Sequence, residues 1–207
     1  MINEELWKKL STRDPHEVSR NSLASYDKNS HTYTLKILSR TFVVDPDMKT
    51  IVNLEKTSLF TPGFHLQLSA VNYLIGAKNI PLIGKWVSEK GFASGPIFFR
   101  GHHAMPTKML EQNFGKDPEG FSLACKAIGG TEAGGGDKAF EFRVLPRIPV
   151  RIILWVADEE FPARVSFLFD RTANLHLQLD ALWAVGKTLE SALLNAHEKK
   201  IRRSKNC

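Results

Sequence analysis

Three segments between Lys138 and Asp170 alternate apolar and polar residues, and this alternation constrains the fold more than any other feature. A period of two residues is typical of β-strands. Pro146 and Pro149 bracket the first connection, and an acidic turn at residues 158–162 forms the second. Connections this short join antiparallel neighbours. The sequence therefore predicts a β-meander with one nearly all-apolar face, which other elements must cover.

The cover is predicted to be helical. A long final helix is expected from about Leu175 to Ala196, with apolar residues at helical spacing: Leu175, Leu179, Leu182, Leu189 and Leu193. Asp14-Pro15 and Thr61-Pro62 each combine a capping residue with a proline and predict helix starts. The predicted fold class is α+β: an antiparallel β-meander sheet covered on one face by helices, including the long C-terminal helix.

The rest of the chain predicts further elements of one domain spanning residues 1–196. The helix after Thr61 is expected to bury a stripe at Phe64, Leu68, Val71 and Ile75. Strands are predicted at 31–38, 40–44 and 50–54, and helices at 107–114 and 118–128. Residues 129–137 are glycine-rich but lack a following helix, so we interpret them as a hinge or lid loop. Residues 197–207 are expected to form a basic, disordered tail.

The two cysteines and the charge exclude several classes of protein. Cys125 lies in an apolar helical segment and is expected to be a buried, inert thiol, and Cys207 is the last residue. Two cysteines are too few for an iron–sulfur cluster or a structural zinc site of the usual kind. The sequence thus predicts no metal site and no iron–sulfur cluster, and it does not identify a cofactor.

The net charge of +6 is concentrated at the C-terminus, where residues 197–207 carry +5 − 1 = +4. A basic helix end is usually a solvated one, so the charge disfavours nucleic acid as a partner. No segment has the roughly 20 apolar residues that cross a bilayer. The start of the sequence lacks the pattern of a signal peptide, and we expect a cytoplasmic protein without membrane contact.

The polar face of the predicted meander is the main candidate site. Three arginines (Arg143, Arg151 and Arg164) share this face with Trp155. Such residues bind carboxylates or phosphates and stack on flat rings. The alternative is an ordinary solvated face with cross-strand ion pairs to Glu141 and Asp170. The apolar residues Ile153 and Leu168 on the same face keep the binding interpretation open.

A second group lies at the predicted junction of strand and helix. His176 precedes Asp180 by four residues and follows Asp170 by six, so the three side chains are expected to converge. A carboxylate beside an imidazole suits acid–base chemistry, although a structural hydrogen bond is the simpler reading. The acidic residues Asp158, Glu159 and Glu160 match a cation site in composition only, and acidic turns are usually solvated. Catalytic residues stay unassigned.

A set of segments spread over nearly the whole chain forms a recognisable pattern: Leu6-Trp7, 14–17, 73–77, Pro81-Leu82, 84–88, 142–149, Trp155, 158–164, 168–170 and His176-Leu177. Together these segments resemble a prokaryotic family called domain of unknown function 3786. The resemblance implies a protein of anaerobic bacteria and archaea. Some relatives carry an added four-cysteine iron–sulfur module of the kind found in corrinoid proteins of one-carbon metabolism. That module is not in this sequence, so a redox or corrinoid role is implied by association only, and no catalytic residues carry over.

Three functional hypotheses follow. The first is a protein that binds an anionic small molecule or cofactor, with tetrapyrroles and corrinoids among the candidates. The second is an enzyme with Asp170 and His176 as an acid–base pair, and the third is an interaction module for an iron–sulfur or methyl-transfer partner protein. The binding residues expected for the first hypothesis are Arg143, Arg151, Trp155, Arg164 and Asp170, with Trp86 and His176 nearby.

Overall fold

Two antiparallel sheets organise the chain in this computed structural model, which describes residues 2–55 and 62–205. The small sheet has the order β1-β2-β3-β4, and the large sheet has the order β5-β9-β8-β7-β6. The small sheet comprises β1 (Ser25–Asp27), β2 (Thr32–Ile37), β3 (Arg40–Asp45) and β4 (Thr50–Asn53). The large sheet comprises β5 (Trp86–Ser88), β6 (Thr131–Ala133), β7 (Lys138–Leu145), β8 (Ile148–Trp155) and β9 (Arg164–Asp170). The predicted meander is confirmed as β7–β9, and β5 and β6 flank it.

Eight α-helices in the described residues complete an α+β fold, as predicted. The helices are α1 (Glu4–Ser11), α2 (Pro15–Ser22), α3 (Phe64–Gly76), α4 (Gly95–Phe98), α5 (Lys108–Phe114), α6 (Pro118–Ala127), α7 (Ala173–His176) and α8 (Leu179–Lys205). The predicted cap is present on α2, where Asp14 accepts from the His16 amide, and Asp117 caps α6 by accepting from the Gly120 amide. None of these helices is both long and apolar enough to cross a bilayer.

The inner face of the large sheet forms the centre of the core. Every predicted inward residue from Phe140 to Phe169 on β7, β8 and β9 is at most 4% exposed. Buried residues of α8, among them Leu182, Leu189 and Leu193, belong to the same hydrophobic cluster. Each such side chain contributes about 1.5–3 kcal/mol when it leaves water. The meander and its helical cover therefore account for much of the driving force for folding.

The final helix differs from its prediction at both ends. Leu177 is buried with extended backbone (φ −132°), and this break separates α7 from α8. Leu175 is consequently 44% exposed and lies outside the buried stripe. The helix continues past Ala196 to Lys205. Asn206 and Cys207 lie outside the described residues, and the division of the chain at residue 196 stays a prediction.

Helix α3 begins at Phe64, after Gly63 at the capping position, and the predicted cap Thr61 lies outside the described residues. The predicted stripe is wrong at Phe64, which is 49% exposed, and confirmed at Val71, which is buried. Leu68 and Ile75 are partly buried against the core, and the buried surface also includes Leu66, Ala70 and Tyr73. The reason is that α3 packs against α8 on one side and against α1 and α2 on another. Contacts on two sides rotate and widen the buried surface.

The glycine-rich segment 129–137 is not a loop throughout. Residues 131–133 form β6 and pair with β7, and the Lys126 ammonium forms an ion pair with Glu132. Gly136 adopts φ +54°, and a Cβ atom at Gly136 would lie 2.6 Å from the Ile153 side chain. The end of this segment is therefore a tight turn packed against β8, which explains why Ile153 is buried on an otherwise polar face.

Arg147, in the turn between β7 and β8, ties three stretches of backbone together. Its guanidinium donates to the carbonyl oxygens of Asn21 (2.7 Å) and Ile80 (3.1 Å) and to the Asn79 side chain (2.7 Å). Its backbone N–H donates to the Tyr73 hydroxyl at 3.1 Å, and that hydroxyl donates to the carbonyl of Ser22. The turn thereby holds the ends of α2 and α3 and the segment after α3.

We expect Arg147→Gln to lower the free energy of unfolding by about 2–4 kcal/mol, because several charge-assisted hydrogen bonds are lost together. Urea unfolding followed by circular dichroism measures the change. Arg13→Gln, at an exposed arginine, is the matched control and should change stability by less than about 0.5 kcal/mol. Equal effects of the two substitutions would contradict the role assigned to Arg147.

Candidate functional site

The face of the large sheet opposite the core, called the outer face below, carries the predicted binding residues that lie on strands, whereas His176 lies on α7. The strand register places Arg151 opposite both Glu141 and Leu168, and Arg164 opposite Trp155. On the edge strand β5, Trp86 pairs with Asp170 and therefore lies on the same face. Alternation alone thus assigns these side chains to the correct side of the sheet.

Arg151 is engaged by two neighbours on the outer face. Its Nη2 atom lies 2.5 Å from Oε1 of Glu141, and its guanidinium carbon lies 4.6 Å from the centre of the Trp86 ring. The glutamate balances the charge of Arg151, and the ring covers its flat side. Arg151 and Glu141 therefore form a cross-strand ion pair of the kind expected for an ordinary solvated sheet face.

Arg164 and Trp155 form a second stacked pair at the other end of the strands. The guanidinium carbon lies 5.1 Å from the indole ring, and Arg164 is exposed. A cavity of about 670 Å³, called the Trp155 cavity below, includes both side chains. Its remaining lining residues come from the turn before β7 and the connection from β8 to β9: Asp137, Val156, Asp158, Phe161, Pro162 and Ala163.

Both carboxylates of the Trp155 cavity accept hydrogen bonds from backbone amides. Asp137 Oδ2 accepts from the Val156 amide at 2.8 Å. Asp158 Oδ1 accepts from the amides of Glu160 (2.9 Å) and Phe161 (2.6 Å). Asp158 thus shapes the turn, as acidic turn residues commonly do. In the part of the chain that the structure describes, no three His, Cys, Asp or Glu side chains group as a metal site requires.

Arg143 lies far from Arg164. It pairs with Pro149, whereas Arg164 pairs with Trp155. Six residues of β8 separate these positions, which corresponds to roughly 20 Å along a strand. Arg143 donates instead to the Pro146 carbonyl at 3.0 Å and lines a separate cavity between the two sheets. The structure therefore does not bring the three arginines together around one small ligand.

Asp170 is buried and fully engaged in holding backbone. Its Oδ1 atom accepts from the amide and hydroxyl of Thr172 at 2.9 and 2.7 Å, and Oδ2 accepts from the Gly84 amide at 2.7 Å. Burial by itself raises the pKa of Asp170, but hydrogen bonds from Thr172, Gly84 and Ile83 outweigh it and hold the pKa below its usual value. Asp170 is therefore an ionised anchor for the segment before β5.

His176 anchors the other end of the same segment. Its Nδ1 atom accepts from the Lys78 amide at 3.2 Å, so its proton lies on Nε2, which has no hydrogen-bond partner in the described chain. Burial lowers the pKa of His176 to about 4, and the charges of Arg147 and Lys78 act in the same direction. The imidazole is accordingly neutral at pH 7.

The predicted convergence of His176 with Asp170 and Asp180 is only partial. Asp180 lies beyond the helix break and accepts from the amide of Ala181. Asp170 and His176 each bind backbone of residues 77–85, called the strap below, and no hydrogen bond joins them. Neither lines the Trp155 cavity or the cavity at Arg143. This geometry agrees with the simpler interpretation, in which Asp170 and His176 form structural hydrogen bonds.

Sequence reasoning missed Arg147 as the third anchor of the strap, and it missed Phe161 and Pro162 as cavity walls. Arg147 had one signal, its position between two prolines in a short turn. Phe161 had another, since it is a large apolar residue within an acidic turn and is 66% exposed. Hydrogen bonds between side chains and backbone groups, which define the strap, leave no pattern in the sequence.

We expect the stability of the protein to fall as the pH drops from about 6.5 towards 4. In this range His176 is protonated in the unfolded state but stays neutral in the folded state. The resulting loss in the free energy of unfolding is at most about 3 kcal/mol. The variant His176→Gln retains an acceptor and should show a flatter slope of unfolding free energy against pH. His16→Gln reports the effect of removing an exposed imidazole. A slope for His176→Gln equal to that of the unaltered protein would refute the assignment.

The chain belongs to the family described as domain of unknown function (DUF3786), whose match covers residues 14–191. The match begins at the cap of α2 and ends within α8, so it includes both sheets and the whole outer face. It confirms the family resemblance seen in the sequence. No curated protein and no solved structure matches the chain.

Proposed function

We propose that this member of the DUF3786 family binds a flat, anionic small molecule or cofactor in the Trp155 cavity. The observation that carries the proposal is the exposed Arg164 guanidinium stacked at 5.1 Å on the Trp155 ring within about 670 Å³ of open volume. Cavities of about 300–1,000 Å³ are the usual size for small-molecule sites. Of the residues predicted from the sequence, these two share a cavity.

The residues that line the Trp155 cavity can both stack on a ring and bind an acidic group. Stacking occupies one flat side of the arginine, and the N–H groups at its edge stay available to a carboxylate or phosphate. Phe161 and Pro162 add apolar wall, and Phe161 is 66% exposed. Covering such a side chain with a ligand ring removes apolar surface from water and favours binding.

Asp137 and Asp158 limit the kinds of ligand that can bind in the Trp155 cavity. Their hydrogen bonds to backbone do not remove their negative charge, so they repel acidic groups placed near them. The ligand that fits best has one acidic group at Arg164 and an uncharged ring. Ligands with several acidic groups spread around the ring are disfavoured.

Tetrapyrroles and corrinoids are the cofactor classes that the family resemblance adds to this proposal, and members with a single free acidic group suit the cavity best. A cytoplasmic location and an anaerobic setting belong to the same proposal, and they rest on composition and on the resemblance. We do not extend the proposal to acid–base catalysis, because Asp170 and His176 hold the strap and line neither cavity.

The exposure of Phe161 favours a second candidate, a protein-interaction module. A large apolar side chain at the tip of a hairpin suits insertion into a pocket of a partner protein. An iron–sulfur or methyl-transfer protein is the partner class proposed from the resemblance. Phe161→Ala should abolish partner capture under this candidate, whereas Arg164→Gln should leave it nearly unchanged.

The test of the small-molecule proposal is titration with anthracene-9-carboxylate and with a corrinoid that has one free carboxylate. Calorimetry measures affinity, and quenching of tryptophan fluorescence reports the location. Arg164→Gln should weaken binding about tenfold or more, because a charge-assisted hydrogen bond contributes about 1.5–3 kcal/mol. Trp155→Phe should remove most of the quenching among the four tryptophans.

The matched controls lie on the same face outside the cavity. Arg151→Gln and Trp86→Phe make the same chemical changes at the other stacked pair. They should leave both affinity and quenching nearly unchanged. Affinity that is insensitive to Arg164→Gln, or equally sensitive to Arg151→Gln, would rule the Trp155 cavity out as the binding site.

A further inference from the structure

The cavity beside Arg143, called the intersheet cavity below, lies where the turn between β2 and β3 meets β7. Its volume is about 420 Å³. Leu38, Ile128 and Phe142 form a floor that is at most 2% exposed, and Leu23 stands at the mouth with 58% exposure. The cavity thus combines an apolar interior with an entrance from solvent.

The walls of the intersheet cavity are held by backbone contacts. The Leu38 amide donates to the carbonyl of Val144 at 3.2 Å, at the point where the register of β7 shifts. Gly129 has φ +85°, and a Cβ atom there would lie 2.4 Å from Ser39 Oγ. A glycine is therefore required for the turn to approach the end of α6. These contacts fix the turn to β7 and to α6.

The charges around the mouth are all positive. Lys36 and Arg143 are exposed and line the cavity, and neither forms an ion pair in residues 2–55 and 62–205. None of the nine described lining residues is acidic. The hydrogen bond from Arg143 Nη1 to the Pro146 carbonyl holds the guanidinium at the mouth and leaves its other N–H groups available. Exposed cations at a cavity whose lining contains no acidic residue raise the local concentration of anions.

Strained backbone is concentrated around the same cavity. Six described residues other than glycine have positive φ, and three of them line it: Leu23 (60°), Leu38 (48°) and Ser39 (63°). A two-residue hairpin turn with positive φ at both positions normally contains Asn-Gly. Here Leu38 and Ser39 occupy it at an energetic cost. Strain of this kind persists where the surrounding structure enforces it, and it clusters at ligand sites.

We propose that the intersheet cavity is a binding site for a small amphipathic anion. The carboxylate or phosphate-ester head lies at Lys36 and Arg143, where an arginine binds either oxyanion through paired N–H groups. The short alkyl or single-ring body packs against the exposed side chain of Leu23, above the floor formed by Leu38, Ile128 and Phe142. A volume of about 420 Å³ lies near the small end of ligand sites and sets the limit on the size of the body.

This site is separate from the Trp155 cavity. The two lie at opposite ends of β8, roughly 20 Å apart along the strand, and they share no lining residue. Their electrostatics also differ, because the Trp155 cavity contains two carboxylates and the intersheet cavity contains none. Each of the two proposals can therefore be tested without reference to the other.

Isothermal titration calorimetry with octanoate and octyl phosphate tests the proposal. Three matched probes serve as controls. Octanol lacks the charge, octylamine has the opposite charge, and inorganic phosphate lacks the apolar body. At least one of the two anions should bind ten or more times more tightly than all three of these probes. The double substitution Lys36→Gln, Arg143→Gln should weaken binding of that anion at least tenfold.

Methyl NMR locates the ligand. Signals of Leu23, Leu38 and Ile128 should shift on titration, while the indole signal of Trp155 should not. Arg164→Gln should leave the affinity unchanged, which separates this site from the Trp155 cavity. Since Lys36 and Arg143 are exposed, the double variant is expected to fold, and its unfolding curve verifies that it does.

Four outcomes would overturn the inference. The first is that neither anion binds with a dissociation constant below about 1 mM, and the second is that octanol binds as tightly as the anions. The third is that the double variant binds the anion with unchanged affinity. The fourth is that the NMR signals that shift belong only to residues outside the cavity. Binding of inorganic phosphate as tight as that of octyl phosphate would also contradict the role of the apolar floor. A preference between octanoate and octyl phosphate would identify the head group.

Discussion

Arg147 holds the carbonyl oxygens of Asn21 and Ile80 and the side chain of Asn79 to the turn between β7 and β8. Asn79 and Ile80 belong to the strap, and His176 and Asp170 fasten its two ends through the amides of Lys78 and Gly84. The strap leads directly into β5, which places Trp86 beside Arg151. One arginine, one neutral histidine and one ionised aspartate thus position the edge of the large sheet. Because these groups are buried or half-buried, replacing any one leaves polar atoms unpaired, which is costly in a protein interior.

The sequence allowed the central part of the fold to be predicted, and the reason is physical. A sheet with one face in the core requires strict alternation, so β7, β8 and β9 and their inward residues from Phe140 to Phe169 were predictable. The three-residue strands β5 and β6 are too short to display a period. The buried surface of α3 depends on packing from two sides, and the break at Leu177 depends on contacts distant in sequence. Such features are set by tertiary structure.

The candidate site was predictable in the same limited sense. Alternation identifies which side chains share a face, and the outer face has the predicted members. It does not give distances along the strands, so it cannot show that Arg143 and Arg164 are separated by six positions of β8. It also does not show which arginine has a nearby acid, and Glu141 is bound to Arg151. The anion-binding hypothesis therefore divides into two sites with different chemistry, one beside Trp155 and one beside Arg143.

The strained turn at Leu38 and Ser39 has a consequence for the order in which the protein folds. Burying the Leu38 side chain is worth about 1.5–3 kcal/mol, which offsets much of the cost of two left-handed residues at roughly 1–2 kcal/mol each. That burial and the hydrogen bond to Val144 exist only when β7 is in place. We therefore expect the small sheet to reach its final register after the large sheet has formed. Pulsed hydrogen exchange showing protection of the Leu38 amide before that of the β7 amides would contradict this order.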